Sequence, residues 1–125
     1  MTDARLEVKN LNACYGQAQA VLDVSLTVLA GELVVLQGLN GAGKSSLLQS
    51  LIGIGPKVSG QITWAGQRID GWSAHRRAQA GLGFVAEDRR LFTSLSVREN
   101  LWIAVRGGAQ SAAAQQFERV LTLFP

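Results

Sequence analysis

Gly38-Leu39-Asn40-Gly41-Ala42-Gly43-Lys44-Ser45-Ser46 is the stretch on which the reading of this chain turns. Its first eight residues fit G-x-x-x-x-G-K-[ST], the pattern of a loop that wraps a phosphate group. The flanks agree with that pattern. Leu33-Val34-Val35-Leu36 precedes it as a short continuous apolar run, the signature of a strand buried on both faces of a parallel sheet. Leu47, Leu48, Leu51 and Ile52 follow at helical spacing, with Gln49 and Ser50 expected on the opposite face, until Gly53 and Gly55-Pro56 stop the helix.

The residue types suit the chemistry. A triphosphate loses much hydration on binding, so many donors must replace its water together. Glycines at 41 and 43 let successive backbone N–H groups turn inward, and the start of a helix at Lys44 adds the positive end of its dipole. Lys44 is expected to reach the β- and γ-phosphates, Ser45 to ligate Mg²⁺ through its hydroxyl, and Ser46 to add a phosphate contact. Gly38, Asn40 and Ala42 complete the cradle through their backbone.

Working outward, Leu6, Val8 and Leu11 set against Glu7 and Lys9 predict a half-buried strand, and Val24, Leu26 and Val28 against Asp23, Ser25 and Thr27 predict a second. Segments 60–64 and 67–69 flank the tight turn Ala65-Gly66, and Ser73 caps a short helix. Leu82-Gly83-Phe84-Val85 is the next expected strand. Ser96 with Glu99 forms a capping box for a helix through Trp102, Ile103 and Val105 to Gly107-Gly108. Phe117, Val120, Leu121 and Phe124 stripe a last helix over 111–124. The fold class is α/β.

At 125 residues with 47% hydrophobic content, the chain is long enough for one core and too short for two ordinary domains. Twelve Lys plus Arg against nine Asp plus Glu give a net charge of +3, too small and too scattered to argue for nucleic acid. The single cysteine, Cys14, excludes an internal disulfide framework and fits a reducing compartment. Asp23, Glu32 and Gln37 interrupt the apolar stretches before any reaches membrane-spanning length, so a cytoplasmic protein is expected.

These motifs resemble the ATP-binding subunits of ABC transporters over nearly the whole chain. Asn40-Gly41-Ala42-Gly43-Lys44-Ser45 resembles that family's form of the phosphate loop, and Tyr15-Gly16 with Val21-Leu22-Asp23-Val24-Ser25-Leu26 resembles its adenine-stacking aromatic and second strand. Gly81 to Phe92 followed by Leu95 to Leu101 is similar to the glutamine-loop region, with Glu87 at the glutamine position. That exchange, and the stretch around it, is especially similar to the branch importing branched-chain amino acids, urea and short amides. The resemblance implies that Tyr15 stacks on adenine and that Glu87 lies near Mg²⁺ and the γ-phosphate. The residues alone also allow Tyr15 to plug a strand end, and Glu87 to be a surface carboxylate paired with Arg89 or Arg90. Trp64, Trp72 and Trp102 read as packing residues, and His75 as a surface residue of a short helix.

The same resemblance implies an incomplete ATPase domain over 1–125: β-subdomain strands at 1–30, the phosphate-loop strand and helix at 31–55, a hairpin, short helix and glutamine-loop strand at 56–92, and the start of a helical subdomain at 93–125. The family's signature motif, its late strand ending in Asp-Glu and its switch histidine are not found in this sequence, so no catalytic residue is expected within it. The implied cofactors are ATP and Mg²⁺. The implied partners are membrane permease subunits, docked at Ala86 to Ser96 on the inner face of the membrane, and a second ATP-binding subunit in the complete protein. A non-catalytic nucleotide-binding or interaction fragment is the alternative.

Overall fold

The computed structural model describes residues 3–88, 91–103 and 110–124. It divides into two compact units, Met1–Phe84 and Val85–Pro125. The first holds a four-stranded antiparallel sheet of order β2-β1-β3-β4, built from β1 (Ala4–Tyr15), β2 (Ala18–Leu29), β3 (Lys57–Trp64) and β4 (Gln67–Arg68). Helices α1 (Lys44–Ile52) and α2 (Ala74–Gln79) accompany it. The second unit holds α3 (Val97–Ile103) and α4 (Gln110–Leu123).

The strands form where alternation predicts them, with several register shifts along β1, one of which falls in both of its ladders. Val8, Leu11 and Ala13 of β1 are buried, a spacing that strict period-two alternation does not give. The extra residue lies at Asn10, which takes a positive φ of 51° where both of β1's ladders shift register. This is a bulge, and it turns Leu11 back onto the core face. Polar side chains hold it: the Asn10 amide Nδ2 donates to Asp23 Oδ1 at 2.8 Å, and the Asn10 backbone N–H donates to Ser25 Oγ at 2.9 Å. On the other side, Gly60 of β3 passes so close to the Asn10 carbonyl that a Cβ there would press against it. Ala65 and Gly66, both at positive φ, make the tight turn between β3 and β4.

Leu47 and Leu51 of α1 pack with Val8, Leu11, Ala13, Val21, Ile62 and Ile69 into the core. Leu48 is instead exposed, and Ser50, expected on the outer face, is buried. Its hydroxyl donates to the Ser46 carbonyl at 2.6 Å, which satisfies it inside the apolar layer. Trp64 and Trp72 pack against this core. Cys14 is half-buried and His75 exposed.

Two expected strands are not formed. Residues 33–36 and 82–85 have no ladder partner, and Leu33 and Val35 are 89% and 67% exposed. An apolar run reports a demand for burial, whereas a strand also needs a neighbour for its backbone groups. The sheet formed by β2, β1, β3 and β4 ends at β2 on one side, and the chain leaves it through a turn in which Glu32 N–H donates to the Leu29 carbonyl at 3.1 Å.

In the second unit, the Ser96–Glu99 capping box forms as predicted: Glu99 N–H donates to Ser96 Oγ at 3.1 Å, and Ser96 N–H donates to Glu99 Oε1 at 3.3 Å. Asn100 bonds back to Phe92, Leu95 and Ser96 and fixes the segment before α3. Trp102 stacks on Phe117 with centroids 5.1 Å apart. Arg89, Arg90, Val105, Gly107 and Gly108 lie outside the described residues.

Asp70 accepts from Arg68 Nε at 2.7 Å and Nη2 at 2.9 Å, and from the Ile62 backbone N–H at 3.3 Å. The Arg68 hydrogen bonds, with that N–H, hold its carboxyl down to about 2. An unfolded aspartate titrates near ~3.9, so the stabilisation is complete above that pH and is lost as pH falls from there through 2. Urea midpoints measured from pH 5 to pH 2 are expected to fall in this window, and Asp70→Asn is expected to flatten that part of the profile.

Candidate functional site

The phosphate-loop pattern folds into a tight connection between residue 38 and α1. Gly41 and Gly43 have φ of 89° and 95°, the left-handed region that L side chains resist. At Gly43 a side chain also has no room, because a Cβ would overlap the Ala20 carbonyl of β2. Gly43 is the N-cap of α1, and no side chain bonds to that end of the helix. The first intrahelical bond runs from Leu47 N–H to the Gly43 carbonyl at 2.8 Å, so the N–H groups of residues 43–46 have no partner within the helix. Four donors at the positive end of a helix dipole are therefore gathered over one turn.

Lys44 Nζ donates to the Gly38 carbonyl and, at 3.5 Å, approaches that of Leu39. The loop thus curls around its own lysine, and Ala42 N–H closes the turn on the Leu39 carbonyl at 3.1 Å. Asn40 and Ser45 are exposed, and Ser46 is half-buried. A cleft of about 360 Å³ opens beside the lysine, lined by Ala20 to Leu22 and Val24 of β2, Leu36, Gln37, and Ala42 to Lys44 with Leu47.

Tyr15 ends β1 and is 47% exposed, with its hydroxyl donating to Gln49 Oε1 on α1 at 3.0 Å. The structure thus ties this aromatic to the helix that carries Lys44. Glu87 is exposed on a turn with Asp88 in the second unit. Among the described residues no group of three or more His, Cys, Asp and Glu side chains could hold a metal ion. The donor set at 43–46, with an ammonium and a hydroxyl beside it, nevertheless fits a polyphosphate, whose own oxygens and water fill most of the coordination sphere of Mg²⁺.

Arg77 was the least legible participant. In the sequence it is the second half of the basic doublet Arg76-Arg77, yet it is 5% exposed and clamps the far end of α1. Nη1 donates to the Ser50 and Leu51 carbonyls at 3.0 Å each, Nη2 to the Asp70 carbonyl at 3.2 Å, and Nε to the Trp72 carbonyl at 3.2 Å. Burial lowers its pKa from the usual arginine value, opposed by the charge of Asp70. Its doublet partner Arg76 lies over the Trp72 ring at 3.8 Å. No local pattern distinguishes the two.

Residues 21–125 match the family model described as ABC transporter. The chain belongs to this family. It is 38% identical over 120 residues to the high-affinity branched-chain amino acid transport ATP-binding protein BraG of Pseudomonas aeruginosa, across 96% of this chain and 52% of that protein. It is 37% identical over 116 residues to the lipopolysaccharide export system ATP-binding protein LptB of Escherichia coli, across 93% of this chain and 48% of that protein. Among solved structures, cbiO1 from Clostridium perfringens, part of the ABC transporter complex cbiONQ, superposes with a TM-score of 0.72 at 24% identity, over 96% of this chain and 50% of that one. That likeness confirms the α/β fold class of an ABC ATPase. The chain spans about half the length of the curated relatives it matches. Among the described residues no helix is long and apolar enough to cross a membrane.

Proposed function

We propose that this chain is the nucleotide-gripping part of an ABC transporter's ATP-binding subunit. The observation that carries the reading is the fan of unpartnered N–H groups at 43–46 with Lys44 folded into the same loop. Bound ATP supplies a triphosphate whose hydrolysis drives transport. Toward it, the backbone of Gly38, Asn40, Gly41, Ala42 and Gly43 shapes the cradle, and the amides of Lys44, Ser45 and Ser46 replace phosphate hydration. Lys44 Nζ exchanges the Gly38 and Leu39 carbonyls for phosphate oxygens. That exchange keeps its charge solvated throughout. Ser45 offers its hydroxyl to Mg²⁺, and Tyr15 offers an aromatic face to adenine. Glu87 is assigned to the Mg²⁺ and γ-phosphate neighbourhood as a carboxylate ligand, direct or through water.

The transported substrate is proposed to be a branched-chain amino acid or related small amide. What supports this is the stretch Gly81 to Phe92 followed by Leu95 to Leu101, with Glu87 at the glutamine position, together with the similarity to BraG. Similarity alone does not select it, since LptB is matched almost equally well. The permease subunits are proposed to meet Ala86 to Ser96, placing the protein on the cytoplasmic face of the membrane. A second ATP-binding subunit completes the assembly.

Calorimetric titration with Mg-ATP tests the nucleotide reading. Lys44→Ala removes charge-assisted hydrogen bonds of about 1.5–3 kcal/mol, so affinity is expected to fall roughly 10- to 100-fold with the fold intact by circular dichroism. Equal affinity for the variant and the parent overturns the assignment.

A further inference from the structure

Tyr15 and α1 are joined by one hydrogen bond, and its acceptor is a residue to which the phosphate-loop pattern gives no role. Gln49 lies five residues after Lys44, about 7.5 Å further along the helix axis at 1.5 Å per residue. Its Oε1 accepts the Tyr15 hydroxyl at 3.0 Å, while its backbone carbonyl accepts the N–H groups of Gly53 and Ile54 that close the helix. Gly55, at φ 85°, packs against this pair: a Cβ there would come within 2.8 Å of Gln49 Oε1 and 3.3 Å of Tyr15 Oη. Tyr15 thus meets Gln49 and Gly55, both far from it in sequence, at one point.

A tyrosine hydroxyl bonds in the plane of its ring, so this tether consumes the edge and leaves the faces uncommitted. Tyr15 remains 47% exposed while held in this way. An aromatic platform gains from such a restraint, because a ring that already holds its bound orientation loses less rotational freedom when a base stacks on it. We propose that Gln49 is a positioning residue for the nucleotide base: it orients Tyr15 through the hydroxyl and couples the base platform to the helix that carries Lys44. This rests on the reading of Tyr15 as the stacking aromatic.

The test compares two ligands, Mg-ATP and Mg-tripolyphosphate, because only the first has a base. Gln49→Leu is expected to weaken ATP about 3- to 10-fold, the size of one neutral hydrogen bond, and to leave tripolyphosphate unchanged. Tyr15→Phe is expected to do the same. The double variant is expected to be no weaker than either single one, since each removes the same bond. Gln49→Glu keeps an acceptor and is expected to restore most of the affinity. The proposal fails if Gln49→Leu leaves ATP binding unaltered while Tyr15→Leu weakens it, or if it weakens both ligands equally, as a general loosening of α1 does. If Tyr15→Leu itself changes nothing, the stacking reading falls and takes this inference with it; the Lys44 assignment then still stands on its own titration.

Discussion

Gly43→Ala is expected to abolish detectable ATP binding. Two penalties fall on the same atom. At φ 95° an L side chain is forced into the left-handed region, at a cost of about 1–2 kcal/mol. The added Cβ also overlaps the Ala20 carbonyl, which is backbone of β2 at the register shift between its paired residues Gln19 and Val21 and cannot turn aside as a side chain can. The strain is therefore relieved by moving the loop, and Gly43 is the N-cap from which the donors at 43–46 diverge. A shift there misaligns all of them together. A loss of 100-fold or more is expected for ATP and tripolyphosphate alike, because the damage is at the phosphate end. Gly41→Ala supplies the control. Gly41 has a similar φ of 89° but open space where the Cβ would go, so it carries the backbone penalty alone and is expected to lose no more than about 30-fold. Titration of both variants, with melting temperatures alongside, separates steric displacement from backbone strain. If the two glycines behave alike, the packing of the loop against β2 does not govern binding.

What could be read in the sequence is what local physics decides. The loop at 38–46, the alternation of β1 and β2, the turn at Ala65-Gly66 and the Ser96–Glu99 capping box each depend on residues within a few positions of one another. Gly53 ends α1 in the left-handed conformation for the same reason. The expected strands at 33–36 and 82–85 were another matter, since apolar composition states a preference for burial and names no ladder partner. The Asn10 bulge shows as a broken period between Val8 and Leu11, but the polar contacts that hold it come from β2, and the close approach of Gly60 comes from β3. Ser50 looked exposed by helical phase and is buried, because its hydroxyl is satisfied by the preceding turn of its own helix. At the site, the glycines of the loop and the start of α1, proposed to meet the phosphate, were legible from spacing. The Tyr15–Gln49 tether spans 34 positions and was not.

Arg77→Met is expected to destabilise the first unit by about 3–5 kcal/mol, a large share of the roughly 5–15 kcal/mol that holds a typical domain folded. Methionine nearly keeps the volume, so the loss is electrostatic. The guanidinium provides donors in a fixed fork, and the Ser50 and Leu51 carbonyls lie in the last turn of α1, where the helix ends and the Ile54 N–H bonds the Gln49 carbonyl instead of Ser50. Each buried acceptor left without a donor costs about 1–3 kcal/mol, and the positive charge at the negative end of the helix dipole is lost as well. Arg77→Lys is expected to recover only part, since a point ammonium cannot reach the Ser50, Leu51, Asp70 and Trp72 carbonyls together. The adjacent Arg76 gives the contrast. It is exposed and lies over Trp72, a contact worth about 0.5–1 kcal/mol, so Arg76→Ala is expected to shift the urea midpoint only slightly. Because α1 also carries Lys44 at its opposite end, the Arg77 clamp holds the phosphate loop to the body of the fold, and ATP affinity is expected to fall with stability in Arg77→Met but not in Arg76→Ala. Equal midpoints for the two arginine variants, at unchanged m-value, defeat the claim that one half of this doublet is a structural anchor.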